Sequence, residues 1–296
     1  MQTPGVQLAF NMPMQLGESP LWHPQENRLY WIDIDGRAVH CLNPQNNMHQ
    51  AWPLPSEPGA LAWSAAGGLI VAMRSGMATL DPGSGALSLF ANPPYDLRHE
   101  RFNDGRCDAA GRFWVGTLYE PRDQPNAMLY ALERGALRDS GIRATVSNGV
   151  AFSPDQRTLY HSDTTSHTIN AYDYDVATGA TRNGRLFHRF SSKRGPDYGG
   201  RPDGASVDSE GNYWCAMYEG GRLLQLAASG AILREVLLPV RCPTMMAFGG
   251  SDLRTLYVTT VSSKRSAQEL AACPLSGCLL SLRVDVPGLP EHPYIP

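Results

Sequence analysis

No run of apolar residues in this 296-residue chain approaches the roughly 18–20 needed to cross a bilayer, so a membrane-spanning helix is not expected. Positive charge is not in excess: 25 Lys and Arg stand against 28 Asp and Glu, a formal charge of −3, and there is no Lys/Arg block. With no basic excess or block to meet a phosphate backbone, nucleic acid is not expected as a partner. The amino-terminal stretch MQTPGVQLAFNMPMQLGESP has neither a basic start nor an apolar segment of signal-peptide length. Cysteines are few, six in all, and no pair has zinc-knuckle or thioredoxin spacing. Buried free thiols in a reducing compartment follow, and with them the expectation of a soluble cytoplasmic protein. Neither the GxSxG elbow of serine hydrolases nor the HExxH pair of zincins occurs.

What is abundant is turn chemistry. There are 29 Gly and 23 Pro, spread along a chain that is 42% apolar and 18% charged. Helical bundles do not tolerate that many breakers, whereas many short strands joined by turns require them. Six segments share one shape, beginning ESPLWHPQENRLYWID, GALAWSAAGGLIVAM, NDGRCDAAGRFWVGT, NGVAFSPDQRTLYHSD, DGASVDSEGNYWCAM and TMMAFGGSDLRTLYVTT. Their first residues, Glu18, Gly59, Asn103, Asn148, Asp203 and Thr244, are 41, 44, 45, 55 and 41 residues apart. Each copy carries turn makers, such as Gly67-Gly68, Pro154-Asp155 and Glu210-Gly211, and then a β-branched or aromatic run.

A strand, a tight turn and a second strand make a hairpin, and segments such as TINAYDYD after residue 167 supply further strands. Four strands per copy at a period near 45 predict an all-β fold, a six-bladed β-propeller in a single domain over residues 1–296. VQLAF at 6–10 is expected to add a strand to the last blade and close the ring, and SSKRGPDYGGRP at 191–202 to form the extra surface loop of the longest spacing.

In a propeller the innermost strand of every blade runs along the central channel, so the six repeat-equivalent residues face one axis. Four of the six are carboxylates or carboxamides: Glu18, Asn103, Asn148 and Asp203. Taken singly, such residues cap turns. Together, with no Lys or Arg among them, they would repel and raise one another's pKa values. A bound cation relieves that cost, and an oxygen-only set suits Ca²⁺, Mg²⁺ or Mn²⁺, with Zn²⁺ as a further candidate.

GESPLWHPQENRLYWIDI, RFNDGRCDAAGRFWVGTL, SNGVAFSPDQRTLYHSDT, RPDGASVDSEGNYWCAMYEGGRL and FGGSDLRTLYVTT resemble, in order, the signatures of the SMP-30/gluconolactonase/regucalcin-like family, over about residues 7–286. The resemblance implies a six-bladed propeller with one divalent metal in its channel, hydrolysing sugar lactones. It implies Glu18, Asn148 and Asp203 as metal ligands, and Arg101 and Asn103 of RFNDG as substrate-binding residues. Glu120 of GTLYEPRD is the match for a further acidic contact. Within that set Asp203 is the expected proton acceptor, since its ring neighbour is a neutral amide and Glu18 is occupied as a ligand. The substrate would be a small sugar lactone and the protein a monomer or weak homo-oligomer.

Two other classes stay open on the residues alone. One is an aryl-esterase or organophosphate hydrolase on a calcium propeller; the other is a non-enzymatic propeller scaffold. Arg101 has a surface ion pair with Glu100 or Asp104 as its plain alternative. Asp104 is either a support for the site or a turn residue before Gly105. DIDG at 33–36 lacks the rest of an EF-hand loop and is expected at a strand end. His161 is expected to be packed rather than catalytic.

Overall fold

The six repeats fold as six four-stranded antiparallel sheets, five of which follow the chain from an innermost to an outermost strand. The computed structural model describes residues 5–195 and 197–296. The innermost strands are Gly17–His23, Pro58–Trp63, Glu100–Cys107, Ser147–Phe152, Arg201–Val207 and Pro243–Gly249, which open blades 1 to 6. The predicted β-rich runs form the second strands, for example Arg28–Asp33 and Tyr213–Tyr218, and TINAYDYD is the strand Thr168–Asp175. Blade 6 is completed by Val6–Phe10, which pairs antiparallel with Leu279–Arg283, so the two ends of the chain are sewn into one sheet. No helix of the described residues is long and apolar enough to cross a membrane.

Alternation explains the packing. Phe113 and Val115 turn toward blade 2, while Trp114 between them turns toward blade 4, because successive strand side chains point to opposite faces. The same rule around the ring gives six apolar clusters, each between two neighbouring blades. The last joins blade 6 to blade 1 through Trp22, Trp31, Tyr257 and Leu279. Each blade therefore buries both faces only by having two neighbours.

Several local features depart from the sequence expectation. The blade 4 hairpin turns through Gln156 (φ 57°), just beyond the expected Pro154-Asp155, and that of blade 1 turns through Asn27 (φ 53°). The long spacing is a loop, but Arg201 and Pro202 already belong to the blade 5 strand, and Pro196 lies outside the described residues. A short helix, Ala267–Ala272, follows blade 6's second strand; its signal is Ser266 capping the Glu269 N–H. All six cysteines are free, five of them buried.

The carboxyl-terminal segment closes one end of the channel. Tyr294 joins Trp63 and Ala65 of blade 2 through its backbone, and Ile295 N–H reaches the Gly111 carbonyl. Midway, the Glu291 carboxylate pairs with Arg106, whose guanidinium also donates to the Val150 and Ala205 carbonyls. Arg106 lies below Asn103 on the same strand, so the site occupies the opposite end.

In every blade the ladder between the innermost and second strands is interrupted by a bulge at or directly after the repeat-equivalent position, as at Glu18–Leu21, Asn103–Gly105 and Asn148–Ala151. A bulge frees a residue from the ladder and re-aims its side chain. Gly59 occupies this position in blade 2, where a Cβ would stand 2.1 Å from the Phe102 carbonyl oxygen and 2.8 Å from the Asn103 nitrogen. Gly59→Ala is therefore expected to cost about 1–3 kcal/mol by overpacking and to displace Asn103. Urea unfolding checks it: an unchanged midpoint would mean that the blade 2–blade 3 contact yields freely.

Candidate active site

Glu18, Asn103, Asn148 and Asp203 converge, with Arg101, on one cavity of about 100 Å³ at the open end of the channel. All four ring residues are buried. The other two repeat positions are structural: Gly59 makes room for blade 3, and Thr244 donates to the Gly17 carbonyl at 2.6 Å. A larger cavity, about 740 Å³, lies on the flank of blades 2 and 3 and holds none of the ring residues.

A chain of hydrogen bonds sets the polar side chains. Arg101 Nη1 donates to Asn103 Oδ1 at 2.8 Å and to the Phe102 carbonyl. Asn103 Nδ2 donates to Asn148 Oδ1 and to the Ser147 carbonyl, both at 2.9 Å. Asn148 Nδ2 donates to Thr164 Oγ1, whose own hydrogen goes to the Pro202 carbonyl. Because Thr164 has one hydrogen and spends it on a carbonyl, it must accept from Asn148. That decides the Asn148 amide orientation and turns its oxygen toward Asn103. Asn103 has both amide hydrogens committed and acts as a bridge, with one acceptor lone pair remaining. Thr164 escaped sequence reasoning because it follows a second strand and matches no ring position.

The carboxylates are otherwise. Glu18 Oε2 accepts from the Ser19 N–H. Among the described residues nothing donates to Glu18 Oε1 or to either Asp203 oxygen. Burial, with Asp203 and Asp104 close by, holds the Glu18 carboxyl well above the usual carboxylate range. Burial and then Asp104 push Asp203 up to about 8, against the opposing pull of Arg201, Arg122 and Arg101. Asp104 is not a turn residue: it sits inside Glu100–Cys107, buried, accepting from Val150 N–H at 3.0 Å. Burial raises it to about 6.

No three His, Cys, Asp or Glu side chains among the described residues gather as a metal cluster by themselves. The convergent set is two acids and an amide. Glu18 Oε1 and both Asp203 oxygens, which accept no hydrogen bond among the described residues, fit a hard divalent cation, which would offset the burial and repulsion that raise these acids.

Arg101 is 9% exposed and bonds to Phe102 and Asn103, so it is no surface ion pair. Its Nε and Nη2 donors are left for the cavity. Glu120 pairs with Arg74 at 2.5 Å and is not in the cavity lining, whereas Arg122, two residues on, is. Arg201 and Tyr218 also line the cavity and carry no signal at the repeat position. His161 is packed, bonded to Ser147 Oγ at 2.7 Å, and burial lowers it to about 4, a neutral imidazole at pH 7. Asp33 of DIDG ends a strand and accepts from Gln15, Leu16 and Gly36 N–H groups.

The family model for the SMP-30/Gluconolactonase/LRE-like region matches residues 16–262. The chain belongs to that family. A 6-deoxy-6-sulfogluconolactonase of Pseudomonas putida is 45% identical over 284 residues, 94% of either chain. Regucalcin of Gallus gallus is 30% identical over 289 residues, 95% of either chain. Among solved structures, a calcium-binding regucalcin from Agrobacterium tumefaciens superposes with a TM-score of 0.92 at 26% identity, covering 99% of this chain and 98% of that one. The SMP-30/gluconolactonase match spans every ring residue from Glu18 to Thr244.

Proposed function

We propose that this chain is a sugar lactonase that opens an aldonolactone to the aldonic acid with the help of one divalent metal. The observation that carries the reading is the meeting of Glu18, Asn148, Asp203 and Arg101 in one cavity, drawn from four blades by bulged strands. The Pseudomonas putida relative supports a gluconolactone-type substrate and makes a 6-sulfonated gluconolactone one of the first to assay.

Glu18, Asn148 and Asp203 would hold the ion: Ca²⁺, Zn²⁺, Mn²⁺ or Mg²⁺, with calcium favoured by the calcium-binding Agrobacterium relative. When bound, the ion supplies Lewis-acid polarisation of the ester carbonyl. Arg101 offers its Nε and Nη2 donors to the lactone oxygens in a planar fork, held in place by the Asn103 bridge. As water attacks the carbonyl carbon, Asp203 receives its proton; the bond from that carbon to the ring oxygen breaks, and the proton is returned to the departing oxygen. The six free thiols support a reducing, cytoplasmic setting.

An assay on a panel of aldono-1,5- and 1,4-lactones, with and without chelator, tests the proposal. Turnover of at least one lactone, abolished by EDTA and restored by a divalent ion, is expected. Lactones left at their spontaneous rate while phenyl acetate or paraoxon is cleaved would instead establish an aryl-ester or organophosphate hydrolase. A protein that binds no divalent ion and cleaves nothing would be a scaffold.

A further inference from the structure

The channel mouth holds more positive charge than a neutral sugar lactone requires. Three arginines line it, Arg101, Arg122 and Arg201, from blades 3 and 5 and the loop after Phe113–Tyr119. Arg101 belongs to the ring's hydrogen-bond chain. The other two are free of that network, and both guanidiniums lie within electrostatic reach of the Asp203 carboxylate.

Arg201 stands two residues before Asp203 on the blade 5 strand, as Arg101 stands two before Asn103 on blade 3. At the corresponding places blades 1 and 4 present Leu16 and Val146, which line the same cavity. A second tier thus sits above the ring, apolar on blades 1 and 4 and cationic on blades 3 and 5.

The surroundings do not cancel this charge. Arg201 reaches Glu219 at 3.3 Å, but Glu219 also faces Arg194 at 2.7 Å and Arg265 at 3.8 Å. Arg201 Nε is buried without a hydrogen-bond partner among the described residues. Arg122 makes no ion pair among the described residues. Once a divalent ion neutralises Glu18 and Asp203, the arginines have no counter-charge left in the cavity.

We infer that Arg122 and Arg201 form an anion subsite that selects lactones bearing a tetrahedral oxyanion, a sulfonate or a phosphate, at the end of the sugar remote from the ester. This rests on the lactonase reading and adds to it the class of substituent. A guanidinium fork matches such a group with paired charge-assisted hydrogen bonds.

The test compares D-glucono-1,5-lactone with its 6-sulfonate and 6-phosphate derivatives on the metal-loaded protein. kcat/KM for at least one anionic lactone is expected to exceed that for the neutral one by about tenfold or more, and the preference to fall as salt is raised. Arg122→Gln and Arg201→Gln are each expected to cut the anionic-to-neutral ratio by about tenfold. Calorimetry with the stable open products, gluconate against 6-phosphogluconate, should show the same preference without turnover. Which derivative is favoured separates sulfonate from phosphate.

Gluconolactone turned over with a wild-type ratio near one would overturn the subsite and leave the lactonase reading standing. A high ratio unchanged in both variants would overturn these residues as its source. If no lactone is opened at all, the lactonase reading fails and the subsite with it. Should a variant not fold, the wild-type ratio and its salt dependence still decide.

Discussion

Replacing Asp203 by asparagine is expected to lower kcat for lactone opening by about 10²–10⁴-fold, the usual contribution of a positioned general base, in a protein that still folds. Folding should survive because no donor among the described residues depends on that carboxylate, so the amide leaves no partner unsatisfied. The swap also removes one of the mutually repelling charges on the ring, which adds to burial in raising the Glu18 carboxyl. A companion variant separates the roles. Glu18→Gln is expected to weaken divalent-ion binding and to recover part of its kcat when the ion is supplied in excess, whereas Asp203→Asn is not rescued. Calorimetric titration of the ion, beside kcat at saturating ion, distinguishes the two. Wild-type kcat in Asp203→Asn would remove Asp203 as proton acceptor.

The largest stability effect is expected away from the site. Asp108 is fully buried and accepts from Ala110 and Arg112 N–H groups, Arg112 Nη1, Trp114 Nε1 and the Tyr174 hydroxyl. Asp208 holds the same place in blade 5, gathering the Glu210 and Asn212 N–H groups, Trp214 Nε1 and Gln225 Nε2, all neutral donors. Only Asp108 therefore serves a buried cation, since Arg112 is 4% exposed. Asp108→Ala should cost about 3–5 kcal/mol, the penalty for leaving a buried charge without its partner. Asp208→Ala should cost less, about 1–3 kcal/mol for unsatisfied neutral donors. Urea unfolding of the two variants side by side reads the difference. Equal losses would show that the Arg112 charge is carried by Glu133 and the Val176 and Ala177 carbonyls, which also accept from it.

The two aspartates also show why the fold could be read before the site. DAAGRFW and DSEGNYW are the same turn written twice, with glycine at φ 81° and 85° and a tryptophan returning its N–H to the aspartate. Such interactions span six residues and repeat, so pattern alone locates them. Glu120 illustrates the opposite case. Its place after GT predicts a substrate contact, but the loop leaving Phe113–Tyr119 turns it to Arg74 and brings Arg122 to the cavity. Loop side chains are aimed by partners far away in sequence; Arg74 is 46 residues from Glu120.

What the chain alone determined is the number of blades, their strands, and the four polar residues brought to one axis. Local alternation and turn chemistry dictate these, and repetition makes equivalent positions share one depth. The folded molecule decided the rest: the bulges that aim the ring inward, the Thr164 hydroxyl that orients Asn148, the Glu291–Arg106 pair that shuts the base, and the cationic tier at the mouth. Each depends on groups from different blades meeting in space, and burial then sets how strongly their charges act on one another.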